Sequence, residues 1–138
     1  MSVDLGLSRT GVAVCDPLEM LASPVKVIFE KYEPKLLKSV VDTAKELCVE
    51  LIVVGLPLNM NGTEGERAVE CKRMAEEIEK MSGIKTVLWD ERNTTVMSHN
   101  ALNVTNVRGK KRKNVVDAVA AVIILESYLA YRKNNKDK

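Results

Sequence analysis

The chain is poor in the residues that build several common functional sites. It holds a single histidine, His99, and three cysteines, Cys15, Cys48 and Cys71, with no Cys-x-x-Cys pair. A zinc centre of His and Cys ligands is therefore not expected. An odd number of cysteines is a poor disulfide framework, and each lies in an apolar pattern, so all three are read as reduced core residues of a cytosolic protein. Aromatic residues make up only 4%, too few for ring stacking to dominate the recognition of any partner. No apolar run nears the length of a membrane span outside the amphipathic helices, and no signal-peptide pattern opens the chain, so neither membrane spanning nor secretion is expected.

What is present suits one ordinary domain. The 138 residues are enough for a core, with 46% hydrophobic and 29% charged residues. The net charge of +2 is small, but it is unevenly spread. Arg108, Lys110, Lys111, Arg112 and Lys113 crowd one stretch, and Arg132, Lys133, Lys136 and Lys138 lie in the last residues. This is the pattern of a local anion-binding face on a chain that is not globally basic.

Hydrophobic spacing predicts strands over Ser2–Leu5, Val12–Cys15 and Val25–Phe29, joined by short turns that suggest a meander. A helix starting near Pro34 carries Leu36, Leu37, Val40, Val41, Ala44, Leu47 and Cys48 at helical spacing. Leu51–Val54 reads as a parallel strand covered on both faces. After the Gly55–Thr63 loop, Thr63 with Glu66 suggests a capping box for a second helix. Its buried stripe is Cys71, Met74, Ala75, Ile78 and Met81, and Gly83 stops it. A fifth strand spans Lys85–Trp89, followed by a short helix over Thr94–Leu102, a polar and basic stretch over Asn103–Lys113 and a last helix from about Asn114 to Tyr131. Strands alternating with helices predict parallel crossovers. One domain over residues 1–138 is expected, with its tail 132–138 frayed.

Three acid-bearing segments stand out against these apolar elements. Asp4 ends a strand and opens a turn with Gly6 and Gly11. Asp90-Glu91-Arg92 follows Val87-Leu88-Trp89. Asp117 lies in an otherwise apolar helix, between Val115-Val116 and Ala118-Val119-Ala120. Acids beside buried apolar runs are costly without a compensating partner. Convergence on one divalent metal would compensate all three and points to a metal-dependent nuclease. Taken singly, each has a plainer reading: a hairpin with a solvated acid, a surface ion-pair cluster, or an acid favoured near a helix start. Either Asp90 or Glu91 could bind metal, with Arg92 on a phosphate or holding the acids, and Thr94 and Thr95 capping the next helix or donating hydrogen bonds. The Gly55–Thr63 loop, leading into a helix N-terminus, is an ordinary connection or an anion site.

Together the segments resemble the YqgF/RuvX family of Holliday-junction-resolvase-like proteins. Asp4-x-Gly6-x-x-Arg9-x-Gly11 looks like its first motif, Gly55-Leu56-Pro57-Leu58-Asn59-Met60-Asn61-Gly62-Thr63 its second, and Trp89-Asp90-Glu91-Arg92-Asn93-Thr94-Thr95 its third. Lys113 with Asp117-Ala118-x-Ala120-Ala121 looks like its last. In two places the chain departs from the family: only Met1-Ser2-Val3 precede Asp4, which shortens a central strand, and Asn93 stands where Leu is common. The resemblance implies a ribonuclease-H-like α/β fold, a five-stranded mixed sheet (a three-strand meander, then two parallel strands) with helices on both faces. It implies a nuclease of 5′-end maturation of 16S ribosomal RNA in the bacterial cytoplasm, with Holliday-junction resolution as the older assignment. Asp4, Glu91 and Asp117 match the family's acidic positions, with Asp90 as an alternative to Glu91.

The mechanism so implied is hydrolysis of a phosphodiester bond assisted by Mg²⁺ or Mn²⁺, one ion activating water and a second stabilising the leaving oxygen. Arg9, Arg92, Thr94, Arg108, Lys110, Lys111, Arg112 and Lys113 are the expected contacts to nucleic acid. The partner is pre-16S rRNA or branched DNA, with no membrane, and the protein is a monomer or homodimer. Two rivals stand beside this reading: a nucleic-acid binding factor without catalysis, which does not need three convergent acids, and a fragment of an actin-like ATPase, whose second lobe this length cannot supply.

Overall fold

The computed structural model describes residues 1–6, 9–16, 21–94 and 110–136, apart from the side chains of 93–94, 110–118 and 134–136. The elements run β1 (Ser2–Leu5), β2 (Thr10–Cys15), β3 (Ala22–Ile28), α1 (Glu33–Glu46), β4 (Leu51–Leu56), α2 (Glu66–Ser82), β5 (Lys85–Asp90), a 3₁₀ turn (Glu91–Thr94) and α3 (Lys110–Lys136). The strands form one sheet in the order β3-β2-β1-β4-β5. β1 pairs antiparallel with β2 and β2 with β3, whereas β1–β4 and β4–β5 are parallel. Tight turns can only reverse the chain, and the parallel pairs each need the helical crossover that α1 or α2 supplies. The expected five-stranded mixed sheet, a meander followed by two parallel strands with helices on both faces, is the one observed.

Side-chain alternation along the strands sends residues to two different layers. Val3, Leu5, Val12, Ile52 and Val54 are buried with Leu36, Leu37, Val40, Val41 and Ala44 of α1 and Cys71, Met74, Ala75 and Ile78 of α2. The intervening positions face α3. There Ala13 packs with Ala121, Val122 and Leu125, and the buried Ser2 Oγ donates to the Ala121 carbonyl at 2.5 Å. Trp89 on β5 reaches the same helix, donating from Nε1 to Ser127 Oγ at 3.0 Å and meeting Tyr128 edge-on. Asp4, two residues after Ser2, stands on this α3 side.

Several local expectations are corrected. β3 starts at Ala22, so Ser23 and Pro24 lie inside it. An edge strand tolerates Pro, whose missing N–H can face away from the sheet, and the pairing skips Val25 between Val12↔Lys26 and Ala13↔Pro24. The N-cap of α2 is Gly65, without a side-chain cap. Thr63 is occupied elsewhere, its hydroxyl donating to Asn61 Oδ1 at 2.6 Å and accepting from Asn59 Nδ2 at 2.9 Å. Met81 and Leu47 are exposed rather than core. Cys48 is exposed too, with a left-handed φ of 55°, because α1 ends at Glu46 and the chain there leaves the helix. α3 begins at Lys110 and runs on to Lys136, so the backbone of Lys110–Lys113 is helical. The short helix expected over Thr94–Leu102 lies outside the described residues beyond Thr94, as does the basic stretch from Asn103 to Gly109. No described helix is long and apolar enough to cross a membrane.

Candidate active site

The carboxyl ends of β1, β4 and β5 lie side by side, and two of the expected acids meet there. The parallel register pairs Ser2 with Val53 and Val3 with Val54; continued by one residue it sets Asp4 level with Gly55, which pairs with Trp89. β5 ends at Asp90, and the 3₁₀ turn brings Glu91 back over Gly55. A Cβ at position 55 would lie 2.6 Å from Glu91 Oε1 and 2.7 Å from Ile124 Cδ1. Gly55 is therefore the floor on which the Glu91 carboxyl rests, closed from the other side by α3. Sequence reasoning placed Gly55 in a motif but did not see this role, which depends on a contact between elements.

Glu91 shares a hydrogen bond with Asp4, and its carboxyl is pushed up to about 7. Burial is the largest cause, followed by the Asp4 charge and the bond between the two; Arg67 pulls in the opposite direction, and Asp90 adds to the rise. Two carboxylates held this close disfavour simultaneous ionisation. A cation between them would remove that penalty.

Asp90 turns to a different partner. Arg92 donates to it from Nε at 2.9 Å and Nη2 at 2.7 Å, and from its backbone N–H at 2.9 Å. This guanidinium holds the Asp90 carboxyl below its ordinary range. Arg92 also donates to the Met60 carbonyl at 3.3 Å, which ties the end of β5 to the β4–α2 loop beside Gly62, whose φ of 86° suits a residue without a Cβ. Of the two adjacent acids, the structure brings Glu91 to Asp4 and gives Asp90 to Arg92.

The remaining expected residues are distributed as follows. Arg9 leads into β2 at the Asp4 end of the sheet, its guanidinium 5.9 Å over the Phe29 ring. Asp117 lies on α3, and its spacing from Ala121 and Ile124 is that of a single helix face; its side chain is outside the described residues. The same holds for the side chains of Thr94, Lys110, Lys111, Arg112 and Lys113, and for the whole of Arg108. Among the described residues, no three His, Cys, Asp or Glu side chains form a metal-binding group.

Arg67, which the sequence analysis did not single out, lies at this edge. Its Nη2 donates to the Leu5 carbonyl at 2.7 Å, and its Nη1 pairs with Glu70 at 2.7 Å. The only sequence signal was its position one turn before buried Cys71. The thiol of Cys71 is pushed up by burial first, with Asp4 and Glu91 adding to the rise and Arg67 opposing it. A separate cavity of about 860 Å³, lined by Met1, Cys15, Cys48, Leu51, Lys85 and Arg132 among others, lies at the opposite end of the sheet.

Comparison with known proteins identifies the family. A family model described as "RuvX: Holliday junction resolvase" matches residues 1–131. A protein of Agathobacter rectalis named "Putative pre-16S rRNA nuclease" is 37% identical, over 99% of this chain and 97% of its own. One of the same name from Listeria monocytogenes serotype 4b is 44% identical, over 94% and 95%. Among solved structures, RuvC of Thermus thermophilus in complex with a Holliday junction superposes with a TM-score of 0.60 over 94% of this chain and 92% of that one. At 12% identity that likeness speaks for the fold alone, and the fold is ribonuclease-H-like. With a match that runs almost from end to end and an acid pair at the carboxyl ends of the central strands, the chain belongs to the RuvX family of nucleases, hydrolases of phosphodiester bonds.

Proposed function

We propose that this nuclease is metal-dependent, that Asp4, Glu91 and Asp117 form its centre, and that it acts in 5′-end maturation of pre-16S rRNA in the bacterial cytoplasm. The single observation that carries the site is the Asp4–Glu91 pair, built from the first and fifth strands and bonded together at the cost of raising the Glu91 carboxyl to about 7. An all-oxygen donor set of this kind suits Mg²⁺ or Mn²⁺ and not a soft metal. A divalent cation supplies activation of water and neutralisation of charge at the phosphate. Asp4 and Glu91 would offer their carboxylate oxygens to it, Gly55 leaves room for Glu91, and Asp117 would complete the set from α3. Arg92, itself fixed by Asp90, and Arg9 contact the nucleic-acid backbone, together with Thr94, Arg108 and Lys110–Lys113. The choice of pre-16S rRNA is supported by the names of relatives 37% and 44% identical.

A second reading, cleavage of branched DNA, is favoured by the description of the matching family. One experiment separates the two. The protein and its Asp4→Asn variant are incubated with precursor 16S RNA and with a four-way DNA junction, each with Mg²⁺, Mn²⁺ or EDTA. The proposal expects cleavage of the RNA with either metal, none with EDTA, and none by the folded variant. Preferential cutting of the junction would replace the substrate. Full activity of the variant would remove Asp4 from the centre.

A further inference from the structure

The acid pair has a cationic neighbour that spends its bonds elsewhere. Arg67 stands in the first turn of α2 and is anchored through Nη2 to the carbonyl of Leu5, the residue after Asp4, and through Nη1 to Glu70. These bonds are to a main-chain oxygen and a helix neighbour, not to the Asp4 or Glu91 carboxylates, yet the positive charge is felt at Glu91 and at Cys71. The guanidinium is thus anchored to the residue that follows Asp4, at the carboxyl edge of the sheet and on its α2 side, without bonding to either acid. Its side chain is 35% exposed, so it opens to solvent at the edge where a substrate must arrive. Two bonds also leave part of the planar fork of N–H donors uncommitted, and that fork matches the oxygens of a phosphate.

We infer that Arg67 is a substrate-contacting residue of this site, its guanidinium donating to a non-bridging oxygen of the backbone phosphate that lies over Asp4 and Glu91. The inference rests on the acid pair being the nuclease centre. Leu5 and Glu70 pre-set the guanidinium, so little is reorganised when substrate arrives, which is where fixed donors are most effective. Arg67 also differs in sign from the acids' other needs: a fixed positive charge next to a cation site weakens cation binding there. A residue kept only to hold the metal site together would strengthen it.

That opposition supplies the test. Arg67→Gln and Arg67→Lys are compared with the unaltered protein by calorimetric titration with Mn²⁺ in the absence of nucleic acid, by thermal midpoint, and by single-turnover cleavage of precursor 16S RNA at saturating Mg²⁺. The expected result is that Arg67→Gln binds Mn²⁺ at least as tightly while cleaving about 100-fold more slowly, the loss typical of one fixed donor at a reacting centre. Arg67→Lys keeps the charge and the midpoint and recovers only part of the rate, since it lacks the fork. Weaker Mn²⁺ binding together with slow cleavage in both variants overturns the inference in favour of a structural brace. Tighter Mn²⁺ binding with unchanged cleavage overturns it in favour of simple charge balance. If Arg67→Gln does not fold, Arg67→Lys decides: full cleavage by it excludes a role for the fork. Glu91→Gln is run alongside, and full cleavage by that variant would sink the site itself, whatever Arg67 does.

Discussion

Glu91 makes the stability of the metal-free protein depend on pH. In the unfolded chain its carboxyl loses the proton near the ordinary 4.5, and in the folded protein near 7. Between those values the folded state binds more protons, so stability is complete below about pH 4.5 and falls as pH rises to about 7. Allowing for solvent screening of a partly buried group, the loss is roughly 1–2 kcal/mol. Thermal midpoints of the metal-free protein, read across that range, should show this decline, and Glu91→Gln should flatten it. An equal decline in the variant would assign the effect to another group. Gly55 offers a second test at the same scale. Gly55→Ala puts a methyl group within 2.6 Å of Glu91 Oε1 and 2.7 Å of Ile124 Cδ1, so either the carboxyl or α3 must move. The expected cost is about 1–3 kcal/mol of overpacking, with a loss of cleavage larger than that of stability. Adding Glu91→Asp, which shortens the clashing side chain, should recover stability; no recovery would show that Ile124 is the group displaced.

The end of α1 shows how an element can be closed by a residue that is poor for the purpose. The Cys48 N–H bonds to the Lys45 carbonyl and the Val49 N–H to the Ala44 carbonyl, both at 3.2 Å, the Schellman pattern that usually has glycine at the left-handed position. Here Cys48 holds it at φ 55°. Cys48→Gly should therefore stabilise the fold by on the order of 1 kcal/mol, raising the thermal midpoint by roughly 4 °C; an unchanged or lower midpoint would show that the Cys48 side chain contributes contacts of comparable value. This position also marks a limit of sequence reading. The apolar spacing of Leu36, Leu37, Val40, Val41 and Ala44 gave the helix correctly, but a period cannot say where a helix stops, and Leu47 and Cys48 continued it by coincidence. The capping motif failed because the Thr63 hydroxyl is engaged by both Asn59 and Asn61, a local contact that the spacing of Thr63 and Glu66 does not reveal. The five strands along the chain, the meander and the parallel crossovers were legible, because alternation and connection length express the same geometry that builds the sheet.

Over the whole molecule, the meeting of acids from distant segments was expected from the sequence, but the contacts that build it were not legible. Motifs located Asp4 and the Asp90-Glu91 pair, but adjacent acids look alike in a sequence. Only the end of β5 and the 3₁₀ turn decide that Glu91 goes to Asp4 and Asp90 to Arg92. Arg67 was invisible because its anchor is a main-chain oxygen far away in the chain, and no side-chain pattern encodes such a bond. The long-range charge distribution carries its own expectation. If Arg108, Lys110, Lys111, Arg112 and Lys113 all contact phosphates of a single strand, the logarithm of affinity should fall against the logarithm of salt concentration with a slope of roughly −3.5. Replacing Lys110, Lys111 and Arg112 by Ala should flatten it by roughly 2. An unaltered slope, measured by titration at several salt concentrations, would locate the backbone contacts elsewhere on the protein.

The position of α3 as the last of these elements has a consequence for how the protein is made. Chain emerges from the ribosome starting at β1, so Asp4, Gly55 and Glu91 are all synthesised before the helix that covers their side of the sheet. Until α3 docks, Ser2 lacks its acceptor at Ala121 and the Trp89 ring lacks Ser127. The nascent polypeptide grows against ribosomal RNA, yet it lacks the closing wall of the centre for as long as α3 is in the exit tunnel. Chain order thus leaves this side of the sheet uncovered until the whole of α3 has emerged. Stalled chains carrying a C-terminal tether should cleave RNA only when that tether is long enough to release α3, and cutting by a chain with α3 still enclosed would show that the first five strands suffice.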